Sequence, residues 1–302
     1  MTPSTEAKAP QILENSVLKK LNTRSNVRGI TRLIGHLSIM VGSGYLWLHL
    51  DSWWGKLPAL VIYGFSFAAM FAVVHECCHR TAFANKKIND VVAWWAGVLS
   101  GYNSTFYRRY HKWHHKYTRV PGKDPELEDL QPSNFREYFM QISGCYWWLG
   151  KIQTHFRVAT GKLENMPYIA ENAESEVVNS TRWQLAVYGI AIAISLVFQQ
   201  PWFITLWLLP LAVGQPILRF ILLAEHTGCT KDNNLLTNTR TTLTCSPIKF
   251  IMWNMPFHAE HHLYPSIPFH ALPQAHQELK EHFAVVDDGY FRVNQSIISN
   301  FS

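Results

Sequence analysis

The chain has 302 residues, of which 48% are hydrophobic, and a formal net charge of +6 at pH 7. This length fits a single domain, and the positive charge comes without any nucleic-acid-binding module, which argues against a nucleic-acid partner. The five cysteines have no regular spacing, so a disulfide framework is excluded and a cysteine metal site is disfavoured. Apolar residues are concentrated in long runs between polar stretches, which is typical of a membrane protein.

Four apolar runs are long enough to cross a membrane, which takes roughly 20 mostly apolar residues and about 17 at the least. They cover residues 33–50, 57–74, 183–199 and 202–224. Buried core helices of a soluble protein are the alternative, but several of these runs extend for about 18 residues without a charge. The sequence therefore predicts an all-α integral membrane protein with four transmembrane helices. In it, a polar segment (residues 1–32) precedes a single domain (residues 33–302).

Short connections group the four predicted spans into two hairpins. The connections are residues 51–56 and 200–201. Of the 27 Lys and Arg residues, only Lys56 lies in these connections and only Arg219 lies inside a span. By the positive-inside rule, the opposite side is cytosolic and holds both termini. Two shorter apolar segments cannot cross and are predicted to lie at the membrane interface. They are residues 91–102 and 139–150.

Eight histidines occur in three clusters with short spacings. The clusters are His75-Glu-Cys-Cys-His79, His111-Lys-Trp-His114-His115 and His258-Ala-Glu-His261-His262. Residues three or four positions apart share one face of a helix, so each cluster can direct its imidazoles to one point. Eight imidazoles exceed the coordination positions of one first-row metal ion, so two ions are implied. Neutral imidazole suits Zn, Cu, Fe and Ni alike, so the ligands alone do not identify the metal.

The predicted topology brings the three clusters together. The first cluster directly follows the second span, the second lies between the hairpins, and the third follows the fourth span. All three then meet at the cytosolic membrane surface, where a lipid chain can enter from the bilayer and electrons can arrive from solution. The alternative, histidines without a metal, does not explain three spaced clusters on one side of the membrane.

These clusters resemble the histidine boxes of the membrane fatty acid desaturase superfamily, which also contains lipid hydroxylases and carotenoid ketolases and hydroxylases. The resemblance extends from about the first span to His-His-Leu-Tyr-Pro-Ser-Ile-Pro at residues 261–268. His-Glu-Cys-Cys-His is similar to the first box of the methyl-end and sphingolipid-type branches. His258 stands where front-end desaturases carry Gln, which argues against that branch. The resemblance implies a cytosolic helical cap that holds two irons, with O2 as co-substrate. The implied ligands are His75, His79, His111, His114, His115, His258, His261 and His262.

The resemblance also implies a ninth ligand, because the family often has an extra ligand histidine ahead of the last box. His226 matches this position, just past the fourth predicted span; a hydrogen-bonded interfacial histidine is the alternative. The other histidines are predicted to be structural or remote from the site. They are His36, His49, His155, His270, His276 and His282.

Three further features each have two interpretations. Four carboxylates could accept the second ring N–H of a ligand histidine or could be solvated: Glu76, Asp124, Glu225 and Glu260. Five basic residues could dock an acidic electron donor or contact lipid headgroups: Arg108, Arg109, Lys112, Lys116 and Arg119. Pro210 and the Gly214-Gln215-Pro216 sequence in the fourth span could border a substrate tunnel or form a simple kink.

The activity implied by the resemblance is O2-dependent desaturation of a fatty-acyl chain of a lipid. The chain has no His-Pro-Gly-Gly haem motif and no dinucleotide-binding fingerprint, so electrons would come from a separate protein, ferredoxin or cytochrome b5. A hydroxylase or ketolase of a lipid or carotenoid is the alternative, because the outcome depends on sub-ångström positioning of the substrate. A metal transporter is disfavoured because transport needs ligands along the bilayer midplane, where the predicted spans have few ionisable side chains.

Overall fold

The computed structural model describes residues 10–127 and 131–301, and most of these residues are helical, as the sequence predicts. Within these ranges, three helical stretches are long and apolar enough to cross a membrane. They are Trp53–Cys78, Glu171–Val197 and Ile204–His226. The last three predicted spans overlap these stretches.

The first predicted span lies in α2 (Asn26–His49), which does not meet the same criterion of length and apolarity. Polar residues make α2 less apolar than the other long helices. One of them is His36, which is fully buried in the middle of the helix. The Nε2 of His36 donates to the carbonyl oxygen of Ser66 at 2.7 Å, and its Nδ1 accepts from the indole nitrogen of Trp253 at 3.2 Å. This histidine therefore joins α2 to its neighbours and is remote from the histidine clusters, as predicted.

The long helices follow one another along the chain in two consecutive pairs. α2 packs along α3 (Trp53–Ala68), and α4 (Met70–Cys78) continues the direction of the chain after an interruption at Ala69. In the second pair, α9 (Glu171–Val197) is followed by a π-helical turn and α10 (Leu209–His226). The rings of Tyr188 and Trp207 are 4.8 Å apart and join this pair. The two helices of each predicted hairpin thus follow one another through a short connection.

The two pairs meet where α10 packs against α3. A Cβ at Gly214 would lie 1.9 Å from the carbonyl oxygen of Gly64, so only glycine permits this approach. Small residues allow close contact of membrane helices in this way. The helix continues through Pro216. Gly214 thus serves helix packing, and the sequence around it does not interrupt α10.

Shorter elements complete the described chain. The helices are α1 (Asn15–Leu21), α5 (Lys86–Ser100), α6 (Ser104–Tyr117), α7 (Phe135–Ile142), α8 (Cys145–Ala159), α11 (Ser246–Ile251), α12 (His258–Leu263), α13 (Leu272–Leu279) and α14 (Tyr290–Ser299). β1 (Thr241–Leu243) pairs in parallel with β2 (Val286–Asp288). The all-α prediction missed this small sheet because three-residue strands are too short to show a periodic pattern.

The amino-terminal segment packs against the carboxyl-terminal part of the chain. The backbone N–H groups of Ile12 and Leu13 donate to the hydroxyl of Tyr264 at 3.0 and 3.2 Å. Residues 1–9 of the predicted N-terminal segment lie outside the described residues. The predicted domain boundary after residue 32 falls inside α2.

Candidate metal centre

Four helix ends carry the nine candidate histidines to one place. His75 lies near the end of α4, and His79 follows that helix directly. The second cluster lies in the last turns of α6, which begins at the N-cap Asn103, whose side chain accepts from the N–H of Phe106. His226 is the last residue of α10, and the third cluster forms α12. Residues three or four positions apart on each helix then face the same point.

The ring nitrogens form two groups. In the first group, one nitrogen of each of five histidines lies within 4.8 Å of all the others: His75, His79, His111, His115 and His261. The Nε2 of His115 lies 3.0 Å from Nε2 of His111 and 3.1 Å from Nε2 of His261. All three predicted clusters contribute to this group.

The second group consists of His114, His226 and His262, whose nitrogens also lie within 4.8 Å of one another. The Nε2 of His258 adjoins it, at 3.1 Å from Nε2 of His262 and 3.3 Å from Nε2 of His226. The structure therefore brings His226 to the cluster, at the position predicted for a ninth ligand.

The distances between ring nitrogens suit metal ions, and so do the buried ring nitrogens that have no hydrogen-bond partner among the described residues. Two nitrogens bound at about 2.1 Å to one ion, at angles between 90° and 109°, are about 3.0–3.4 Å apart. Five Nε2–Nε2 separations within the site, of 3.0–3.3 Å, lie in this range. Both ring nitrogens of His75 and the Nε2 of His79 are buried and have no hydrogen-bond partner among the described residues. Buried polar atoms are normally paired, so these nitrogens are suited to bind a metal.

Burial keeps most of these imidazoles neutral. It lowers the pKa of His111, His115 and His261 well below the usual histidine range, and the nearby histidines lower it further. His114 differs: burial lowers its pKa, but the carboxylates of Glu126 and Asp124 outweigh burial and raise the pKa to about 9. A neutral imidazole offers a lone pair to a metal, and an ion at Nε2 of His114 would take the place of the proton there.

Several second ring nitrogens are held by hydrogen bonds, which fix the direction of the inward-facing Nε2. The Nδ1 of His114 donates to Oδ1 of Asp124 at 2.8 Å. The Nδ1 of His262 lies 3.1 Å from the hydroxyl of Thr118, and the Nδ1 of His226 donates to the carbonyl oxygen of Asn238 at 3.1 Å. Thr118 and Asn238 lie outside the histidine clusters, so no sequence pattern identified them.

Comparison with known proteins agrees with this geometry. The family model described as fatty acid desaturase matches residues 51–294. The chain belongs to the fatty acid desaturase family. The protein is therefore an oxidoreductase, and its histidine cluster fits a di-iron site.

Known relatives of this desaturase act at different positions. It is 24% identical to the sn-1 oleoyl-lipid 12-desaturase of Picosynechococcus, over 84% of this chain and 77% of the relative. It is 26% identical to a Delta(5) fatty acid desaturase of Caenorhabditis elegans, over 78% of this chain and 60% of that relative. It is 24% identical to a sphingolipid delta(4)-desaturase of Homo sapiens, over 80% of this chain and 71% of that relative. These names differ in the bond and lipid that they specify.

Of the four carboxylates predicted near the clusters, only Asp124 accepts the second ring N–H of a candidate ligand histidine in the described structure. Glu260 is fully buried and accepts from Nδ1 of His276 and the hydroxyl of Thr241. Glu76 accepts the backbone N–H of Phe269 at 3.0 Å. These bonds attach the first and third clusters to neighbouring segments. His276, predicted as structural, thus supports the third cluster through Glu260.

We expect Asp124→Asn to weaken metal binding, because the neutral amide holds Nδ1 of His114 less firmly than a buried carboxylate does. Loss of such an outer partner typically costs about 10–100-fold in metal affinity or activity. Competition with a chelator measures the affinity. Asp90→Asn is the matched control, since Asp90 pairs with Arg80 and Arg108. Equal affinities for both variants and wild type would contradict this role.

The basic residues around the second cluster are partly engaged within the fold. Arg108 pairs with Asp90, and Arg109 pairs with Glu176. Arg119 is buried and donates to the backbone carbonyl oxygen of Cys229 at 2.9 Å. The electron-donor prediction is therefore wrong for Arg119, whereas Lys112 and Lys116 remain exposed.

A cavity of about 650 Å³ adjoins both groups of histidines. Its wall includes His75 and His111 of the first group and His114 and His226 of the second. Aromatic and apolar side chains form another part of the wall, among them Phe71, Tyr102, Trp147, Leu222 and Met255. Pockets of this size commonly hold small-molecule ligands. The Nη2 of Arg219, which also lines the cavity, donates to the hydroxyl of Tyr102 at 2.9 Å.

Proposed function

We propose that this desaturase uses O2 to introduce a double bond into the fatty-acyl chain of a lipid, at two irons held by nine histidines. The observation that supports it is the convergence of two groups of buried and half-buried imidazoles beside one cavity. Nine imidazoles exceed the coordination positions of one ion but suit two. The proposed ligands are His75, His79, His111, His114, His115, His226, His258, His261 and His262.

When bound, the irons would supply the activation of O2 and the oxidation of an unactivated C–H bond, which protein side chains cannot perform. The protein contributes the rest. Buried helix ends hold the imidazoles and exclude water, and the cavity wall places one carbon–carbon bond of the acyl chain beside them. Such positioning determines whether two hydrogens are lost or an oxygen is gained.

The apolar surface of α9 supports a location within the bilayer. Its exposed fractions include 60% for Ile190, 72% for Leu196 and 77% for Val197, which is unusual for apolar side chains in water. α2 serves as the fourth span in this proposal. Asn26 at its start accepts from the backbone N–H of Asn85, beyond α4, and its end adjoins the start of α3. It therefore covers the same depth as Trp53–Cys78.

The charge distribution supports a cytosolic location for the metal site and both termini. Lys56 is the one basic residue in the connections at the far ends of the two helix pairs. A separate ferredoxin or cytochrome b5 would then deliver electrons from the cytosol. Lys112 and Lys116, exposed on α6 beside the second cluster, offer positive charge to an acidic donor of this kind.

Product analysis tests the reaction. The desaturase would be expressed in a host with a defined lipid pool, and the fatty acids and carotenoids would be examined by mass spectrometry. We expect an acyl chain that has lost two hydrogens. A product that has instead gained one oxygen would reject desaturation in favour of hydroxylation or ketolation.

Metal analysis tests the centre independently of the product. We expect about two iron atoms per chain in protein purified anaerobically, because nine imidazoles cannot surround one ion. Elemental analysis against protein concentration provides the measurement. One zinc and no iron, after expression in iron-replete medium, would reject the di-iron proposal.

A further inference from the structure

We propose that Glu225 is an additional, anionic ligand of the metal ion in the second group of histidines. This inference rests on the proposed di-iron function and adds a carboxylate to a site that otherwise consists of imidazoles. It makes the two metal positions chemically different.

Glu225 faces the metal side of the histidines and not their outer side. Its Oε2 lies 3.4 Å from Nε2 of His258. That same nitrogen lies 3.3 Å from Nε2 of His226 and 3.1 Å from Nε2 of His262, so it points to the centre of the group. Asp124 provides the contrast, since it binds the outward-facing Nδ1 of His114. The sequence-based prediction that Glu225 orients a second ring nitrogen is therefore replaced by a role at the ion.

The second oxygen of Glu225 supports this role. Oε1 is buried and has no hydrogen-bond partner among the described residues. An unpaired buried carboxylate is costly, whereas a cation beside it removes much of the cost. The 3.4 Å between Oε2 and Nε2 of His258 also matches the separation of about 3.0–3.4 Å expected for two ligands of one ion.

Glu225 directly precedes His226 at the end of α10, so one helix end holds both residues. Among the described residues, Glu126 also approaches an inward-facing nitrogen of this group, with Oε2 3.4 Å from Nε2 of His114. Its side chain is 31% exposed, compared with 13% for Glu225, so water can solvate it. Glu225 is therefore the stronger ligand candidate.

The first group has no equivalent of Glu225 in the described residues. Its five members are histidines, and the carboxylate contact to it is that of Glu126 with the Nδ1 of His111, at 3.8 Å. One ion would then have five neutral ligands, and the other would have four neutral ligands and one negative charge. An anionic oxygen ligand stabilises the higher charge of a ferric ion, so the second iron should be oxidised more readily.

Glu225→Gln separates the charge from the shape, since the amide is nearly isosteric but carries no charge. In anaerobically purified full-length protein, we expect iron to fall from about two atoms per chain to about one. Ferrous affinity at the lost position should fall by about 100-fold, at least as much as for an outer partner. Retention of both irons with unchanged affinity, or loss of both, would overturn the proposal.

Two further variants keep the test decisive. Glu225→Asp retains a carboxylate and should keep both irons, although a chelator should remove the second iron faster than from wild type. If this variant loses as much iron as Glu225→Gln, the negative charge does not determine iron binding at this position. Glu176→Gln changes an exposed carboxylate on α9 and should match wild type. Wild-type protein without two irons would contradict the proposed function itself, whereas two irons in both wild type and Glu225→Gln would contradict only the role of Glu225.

Discussion

Alanine at His79, His114 or His261 is expected to abolish product formation and to lower the iron content, while the protein still accumulates in the membrane. Each variant removes a ring from a different cluster; those of His114 and His261 are buried, and that of His79 is half-buried. Loss of a direct ligand should cost more than the roughly 10–100-fold typical of an outer partner. Insertion should continue because apolar side chains of the spans determine it, and these are unchanged.

The matched controls are His270→Ala and His282→Ala, which remove histidines outside the two groups. His282 is exposed, and the Nδ1 of His270 lies 3.0 Å from Nη1 of Arg28, so neither ring faces the metal positions. Both variants should retain most product and both irons. Product yield and iron per chain are measured on the same membrane preparations. Full activity in the His79, His114 or His261 variant would show that its cluster does not bind the metal.

Cysteine labelling should give opposite results at the two ends of the Trp53–Cys78 stretch. The exposed Ser52 precedes this stretch, and the exposed Ser133 follows it in the long segment that contains the second cluster. Because nearly all basic residues lie on the Ser133 side, that side is expected to be cytosolic. A membrane-impermeant maleimide applied to intact cells should therefore label Ser52→Cys but not Ser133→Cys.

The exposed native thiols Cys145 and Cys245 are first replaced by serine, so that they do not contribute to the signal. Thr23→Cys, before α2, tests the fourth span separately. It should be protected like Ser133→Cys, since a crossing α2 returns the amino terminus to the cytosol. Labelling of Thr23→Cys from outside would show that α2 does not cross. Labelling of Ser133→Cys from outside would place the second cluster on the non-cytosolic side, and the proposed cytosolic site would be wrong.

Much of the site was predictable because its signals are local. Histidines three or four positions apart share a helix face, so spacing alone indicates that imidazoles converge within a cluster. Predicted spans before the first and third clusters then indicate that the clusters meet. His226, which has no spaced partner, was found through the family resemblance and not through its own sequence context.

Other parts depended on contacts between residues distant in sequence. Thr118 and His262 are 144 positions apart, and no local pattern connects them. The same is true of Gly64 and Gly214, whose contact explains a sequence that otherwise suggests a kink or a tunnel. The sheet of β1 and β2 was missed because strands of three residues show no period.

Residue type and spacing suffice to predict that this chain has long apolar helices and three histidine clusters near their ends. The division of nine imidazoles into groups of five and four, with His258 in the second, depends instead on tertiary contacts, and so does the nitrogen that each neighbouring carboxylate approaches. Asp124 and Glu225 are the same kind of residue near the same kind of cluster. Asp124 binds the outward-facing Nδ1 of His114, whereas Glu225 faces the inward-facing Nε2 of His258. That difference arises from the relative placement of α6, α10 and α12, which is set by packing between helices and not by local sequence.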